Sequence, residues 1–311
     1  MPPSDTHDIP VPKAERRHVE TAEGRVSYIE AGSGPVALFV HGVVTNAYLW
    51  RHLVGALAEE RRCIAIDLPL HGRSPAGPDQ PFGLAAFARV LEGFCDELAL
   101  TSVDLVGNDT GGAIAQIFAA RSPHRLRTLT LTNCETHDNV PPRAVKPTVF
   151  LARMGVFALI GPLLLRSLPA ARRVVFGTGY ENLDALPEEV VRSFLHPVLG
   201  TRERARLFER WLTSLRASDL LEVEPLLRRL EVPALIAWGT GDRFFETRWA
   251  HWLAEILPGA SGVVEFPGAR LFFPDERAAE LLPHLREHWS GADESGGSPR
   301  SQSKTSKETE R

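Results

Sequence analysis

The chain has 311 residues, of which 43% are hydrophobic and 24% charged, with 25 glycines and 24 prolines. Such a composition is that of an ordinary globular protein, excludes collagenous and wholly disordered classes, and at this length allows two domains or one large domain carrying an insertion. With 35 Lys and Arg against 39 Asp and Glu, the formal net charge is -4; no overall positive field exists to hold a nucleic acid or an anionic membrane, so neither is an expected partner.

The opening segment MPPSDTHDIPVPKAERR has no apolar core and no small-residue cleavage site, which argues against a secretory signal. Residues 1–15 are expected to be flexible. Strands are expected at His18 to Thr21, Val26 to Glu30, Val36 to Val40, Cys63 to Ile66, Val103 to Val106 and Leu126 to Thr132. The last four are nearly continuous in apolar or β-branched residues, as parallel strands covered on both faces should be. From about Asn139 to Pro225 that rhythm stops, and prolines, arginines and helical runs suggest an inserted helical cap. Strand-like runs return at Ala234 to Trp238 and Gly262 to Phe266, followed by a helix from about Asp275 to Trp289. The expected division is therefore core at 16–138, cap at 139–225, core again at 226–290 and a disordered tail at 291–311. Cys63, Cys95 and Cys134 are too few and too scattered for a disulfide framework or a metal site. A reducing, cytoplasmic setting fits them, and no metal or cofactor is expected. The apolar run from Met154 to Leu165 is too short for a bilayer span and reads as a helix pair on a covered surface.

The strongest chemical signal is Val106-Gly107-Asn108-Asp109-Thr110-Gly111-Gly112. A strand runs into a Gly-x-Asp-x-Gly turn and directly into a helix, a spacing that lets a strained turn thrust the middle side chain above the sheet. Taken alone, Asp109 is also a plausible helix N-cap. Three other segments agree with the first reading: His41-Gly42-Val43 after a strand, Asp67-Leu68-Pro69-Leu70-His71-Gly72 after another, and Trp238-Gly239-Thr240-Gly241-Asp242 closing a third.

In this order and spacing the four segments resemble the α/β-hydrolase superfamily over about Arg16 to Trp289, and an aspartate at the elbow resembles its haloalkane dehalogenase and epoxide hydrolase branch. The resemblance implies an α/β fold with a mostly parallel eight-stranded sheet, flanking helices and an inserted helical cap. It implies that Asp109 attacks an electrophilic carbon and forms a covalent ester. The backbone N–H groups of Val43 and Thr110 would form the oxyanion hole, and Asp242 would be the acid that orients a histidine, with Glu135 as a substitute. A carboxylate is already ionised at neutral pH and attacks unaided; the histidine serves the second half, when water must be deprotonated.

The sequence departs from that pattern at Pro267-Gly268-Ala269-Arg270-Leu271, where Leu271 occupies the histidine position. His284 and His288 fall in the terminal helix, and His41 and His71 belong to fold turns. The halide-holding positions carry Thr110 and Val43, and the cap offers only Tyr180 of the two tyrosines that open epoxides. The many cap arginines suit a solvated face better than an anion clamp. The sequence thus supports a hydrolase acting through Asp109 on a small or medium apolar electrophile. A lyase or isomerase on this fold, or an impaired binding protein, stays open because the histidine is absent. The expected partner is a small-molecule substrate, with a homodimer left open.

Overall fold

The computed structural model describes residue 9 and residues 11–296. Eight strands form one sheet: β1 (Ala14–Thr21), β2 (Gly24–Ala31), β3 (Val36–Val40), β4 (Arg62–Ile66), β5 (Val103–Asp109), β6 (Leu126–Cys134), β7 (Ala234–Gly239) and β8 (Ala260–Phe266). Their spatial order is β1-β2-β4-β3-β5-β6-β7-β8. β1 pairs antiparallel with β2, and β2 with β4, while every later pairing is parallel. Each expected strand is present, generally one to four residues longer at an end. β1 starts at Ala14, so strand pairing reaches into the segment expected to be flexible.

The helices are α1 (Arg51–Leu57), α2 (Leu84–Glu97), α3 (Thr110–Arg121), α4 (Lys146–Arg153), α5 (Val156–Leu164), α6 (Leu168–Phe176), α7 (Glu188–Leu199), α8 (Arg202–Ser214), α9 (Ser218–Leu227), α10 (Arg248–Ile256), α11 (Phe273–Glu276) and α12 (Ala278–Gly296). In α2, Leu84, Phe87, Ala88, Leu91, Phe94 and Cys95 recur at helical spacing and are buried, the signature of a helix laid on the sheet. α3 is buried all round except at its end, because it packs against α2 and α9 as well as along the sheet. β3, β5 and β6 are buried along nearly their whole length, as strands with helices on both faces must be.

Six helices, α4 to α9, lie between β6 and β7. Their seat on the core is explicit at two places. Trp211 of α8 stacks on Phe87 of α2 with ring centroids 4.2 Å apart. Tyr180 donates its hydroxyl to Asp275 Oδ2 at 3.0 Å, and Arg51 pairs with the same carboxylate at 2.7 Å. The last helix runs through Gly296, past the end expected at Trp289, and Ala292 within it is buried. The rest of the expected tail, and residues 1–8 and 10, lie outside the described residues.

Candidate active site

The carboxyl ends of parallel strands converge on one edge of the sheet, the place where open α/β folds bind ligands. β3 ends before His41-Gly42-Val43, β5 ends on Asp109, β6 is followed by Glu135, β7 by Asp242, and β8 by the turn carrying Leu271. Topology alone therefore brings together residues separated by more than two hundred positions.

Asp109 has φ 54° and ψ -135°, a conformation disfavoured for a side chain with a Cβ and costing on the order of 1–3 kcal/mol. Small neighbours permit it. A Cβ on Gly42 would collide with the Asp109 carboxylate, and one on Gly111 would collide with the carbonyl oxygens of Val40 and His41. Asp109 does not cap α3 with its side chain. Its Oδ2 instead accepts the Val43 N–H at 2.8 Å, and the Thr110 N–H also donates to the carboxylate. The two N–H groups expected to form an oxyanion hole thus both lie at the Asp109 carboxyl group, with Val43 on Oδ2.

Asp242 accepts from Asn133 Nδ2 at 2.8 Å and from the Phe244 N–H at 2.7 Å. Asn133 also donates to the Gly239 carbonyl and accepts the Gly239 N–H, so one amide locks the β6 end to the β7 turn. Glu135 Oε1 accepts the Thr110 hydroxyl at 3.0 Å. Its Oε2 is buried with no hydrogen-bond partner among the described residues. Three acids therefore share a nearly dry site, with Asp109 7%, Glu135 2% and Asp242 9% exposed.

Burial is the main cause of their shifts, since it penalises the charged form, and for Asp109 and Glu135 the repulsion of neighbouring carboxylates adds to it. Asp109 is raised well above the usual carboxylate range by burial and by the charges of Glu135 and Asp242, against the two N–H donors; its surroundings therefore oppose the unaided ionisation expected from the sequence, and the charged form depends on those two donors. Glu135 is pushed up to about 7 by burial, with the Asp242 charge adding. Burial also raises Asp242 to about 6, opposed by its hydrogen bonds from Phe244 and Asn133.

The turn expected to carry a histidine is present and is packed onto this site. Asn108 Nδ2 donates to the Leu271 carbonyl at 3.0 Å, and the Gly241 N–H donates to the Ala269 carbonyl at 2.8 Å. Leu271 is 5% exposed. His41 and His71 are buried with pKa values lowered to about 4 and about 3, chiefly by burial. His41 Nε2 accepts the Leu68 N–H and its Nδ1 donates to the Gly42 carbonyl, a structural role. His284 packs edge-on against Phe266. His288 is hydrogen-bonded at Leu129, five residues and about 16 Å along β6 from its active end. Tyr180 is committed to Asp275, as described above. Of the cap arginines none is buried, so none forms a desolvated anion clamp. Among the described residues, no group of three or more His, Cys, Asp or Glu could hold a metal ion.

Asn108, Asn133 and Gly42 were not singled out by sequence reasoning. The available signal was positional: Asn133 stands two residues before Glu135, on the same face of a strand that ends in the site.

The family model for the alpha/beta hydrolase fold matches residues 35–276. The chain belongs to the α/β-hydrolase fold family. At the level of the family it is a hydrolase. A haloalkane dehalogenase from Mesorhizobium japonicum is 40% identical over 119 residues, an alignment spanning 38% of this chain and 38% of that protein. Haloalkane dehalogenase 2 of Mycobacterium bovis is 27% identical over 86% of this chain and 94% of its own length. A cis-3-alkyl-4-alkyloxetan-2-one decarboxylase from Xanthomonas campestris pv. campestris is 27% identical over 84% of this chain and 91% of its own. Among solved structures, a haloalkane dehalogenase from Bradyrhizobium elkani superimposes with a TM-score of 0.76 at 23% identity, covering 91% of this chain and 99% of that one. A lipase-like protein from Acinetobacter baumannii gives 0.77 at 17% identity, with 94% and 100% covered. At these identities the structural neighbours speak for the fold.

Proposed function

We propose that this α/β-fold hydrolase uses the Asp109 carboxylate as a nucleophile against the saturated carbon of a small or medium apolar electrophile, such as a halide, an epoxide or the alkyl side of an ester. The observation that carries this reading is the pair of N–H groups, from Val43 and Thr110, that hold Asp109 itself. With Oδ2 so held, Oδ1 forms the new carbon–oxygen bond while the leaving group departs with its electrons. In the second step water attacks Cγ of the resulting ester, and negative charge develops on Oδ2, the oxygen already facing the Val43 N–H. Glu135 is the carboxylate placed to take the proton of that water. Its pKa near 7 suits a base at neutral pH, and its Oε2 has no competing partner. The alkoxide released on collapse takes up a proton and leaves as the alcohol.

Incubation with panels of haloalkanes, epoxides and activated esters, followed by intact-mass measurement, tests this reading. An adduct that maps to Asp109 and is lost in Asp109→Asn supports it; no adduct and no turnover across the panel would sink it. If the missing imidazole limits the water step, Leu271→His should accelerate adduct breakdown at least tenfold. An unchanged rate would remove Asp242 from the role of orienting acid.

Leu271 favours a second reading, in which no water step is needed. A strained lactone opened by Asp109 at its alkyl carbon would release a carboxylate, a leaving group that needs no protonating tyrosine or halide cradle. Loss of that carboxylate as carbon dioxide would expel Asp109 and leave an alkene, regenerating the free enzyme. The named activity of the Xanthomonas relative makes this the lyase to try first. Turnover in heavy-oxygen water separates the two, because hydrolysis labels the Asp109 carboxylate and the eliminative route does not.

A further inference from the structure

The apolar run expected to lie on a covered surface is bare along one side. Phe150 and Leu151 of α4 and Met154 just after it are exposed, as are Leu159, Ile160 and Leu163 of α5, with Phe150 and Leu159 each 61% and Met154 65% exposed. Both helices use the same spacing, showing positions i, i+1 and i+4 to solvent while Val149 and Ala152, or Ala158 and Gly161, face inward. Val174 on α6 is 71% exposed. Seven of the nine strongly exposed large apolar side chains among the described residues thus fall between positions 150 and 174, on three consecutive helices of the cap. Clustered exposure of this kind marks an interaction surface.

Charge decides the partner. No acidic residue occurs between Asp138 and Glu181, while Arg143, Lys146, Arg153, Arg166 and Arg173 are exposed. None of these five forms an ion pair among the described residues. The net charge of -4 conceals this local excess. We propose that the cap face formed by α4, α5 and α6 docks on an anionic lipid surface, with its apolar side chains in the interfacial region and its basic rim among the headgroups. A two-fold contact with a second copy would set the same basic rim against itself, since such an interface pairs one patch with its own image. Residues 297–311 contain no large apolar side chain and are chemically unsuited to cover the face. The helices lie on the membrane and do not cross it: α4 and α5 meet at 102° around Gly155, and each reaches only about 12–14 Å against a hydrocarbon core of about 30 Å. The absence of an expected membrane partner rested on overall charge and on the lack of a span, and a surface contact requires neither.

Co-sedimentation of the full chain with vesicles of phosphatidylcholine alone, or mixed with phosphatidylglycerol, tests the assignment. Binding is expected to the mixed vesicles and to fall steeply with added salt. Leu159→Asn with Leu163→Asn should abolish it without altering charge. Arg153→Gln with Arg166→Gln should weaken it roughly thirtyfold, at about fivefold per guanidinium. All four side chains are exposed, so the variants should keep the wild-type circular dichroism and melting temperature. Failure to bind the anionic vesicles, or binding indifferent to both double variants, overturns the proposal. A stable dimer dispersed by the leucine variant would assign the face to a second copy and overturn it equally.

Discussion

At the scale of single residues the site is organised by what is missing as much as by what is present. Gly42 is required because its lack of a side chain lets the Asp109 carboxylate lie against the chain and reach the Val43 N–H. Gly42→Ala should therefore fold but displace the proposed nucleophile, lowering the rate of Asp109 labelling about a hundredfold, the usual consequence of an ångström of misplacement. Labelling at the wild-type rate would show that the carboxylate does not act from the observed position. The positions of Asp109 and Asp242 at strand ends were legible, because a Gly-x-Asp-x-Gly turn leads from an apolar strand into a helix and Trp238-Gly239-Thr240-Gly241-Asp242 closes another strand. The environment of Glu135 was not legible. Nothing in Cys134-Glu135-Thr136 tells that the Thr110 hydroxyl will come to rest on its carboxylate, since that contact depends on β5 and β6 ending side by side with Asp109 paired to Cys134.

Among the elements, the sheet was easier to read than the cap for a physical reason. A strand covered on both faces announces itself by continuous apolar residues, as in Val36 to Val40, and needs no knowledge of its neighbours. Helices such as α4 and α5 are short and bury only two residues each, so the sequence showed a helical region without showing which face each helix buries. The run from Met154 to Leu165 is the clearest case, because apolarity alone does not distinguish a covered surface from a bare one. The final helix is longer than the composition of the tail suggests: Ser, Gly and Glu follow Trp289, yet Ala292 is buried and the helix runs on through Gly296. The tie between cap and core can be tested at this scale. Tyr180→Phe removes the donor to Asp275 Oδ2 while keeping the ring against Phe176 and Phe272. A buried carboxylate deprived of a donor should lower the stability to urea by about 1–3 kcal/mol. A change below about 0.5 kcal/mol would mean that Arg51 alone satisfies Asp275.

For the whole molecule, the carboxyl cluster links function to stability through pH. A carboxyl whose pKa rises on folding holds its proton more tightly in the folded chain than in the unfolded one, so folding loses stability as pH rises between the two values. For Glu135 the window runs from its ordinary 4.5 to about 7. Below it the group is neutral in both states and has no effect; above it the full cost of holding a buried charge is felt. Glu135→Gln keeps an oxygen for the Thr110 hydroxyl and carries no charge at any pH. Its stability relative to the wild type, measured by urea denaturation, should therefore be near equal at pH 4, grow in its favour through pH 7 and then level off. The final difference should be on the order of 3 kcal/mol. If Glu135 is also the base for the water step, the same variant should form the Asp109 adduct normally and break it down at least a hundredfold more slowly, with the wild-type rate rising through the same interval of pH. A stability difference that is flat with pH would show that Glu135 is ionised without cost. A stability difference of the expected form, with adduct breakdown unaffected, would leave the buried charge real but assign deprotonation of water to another group.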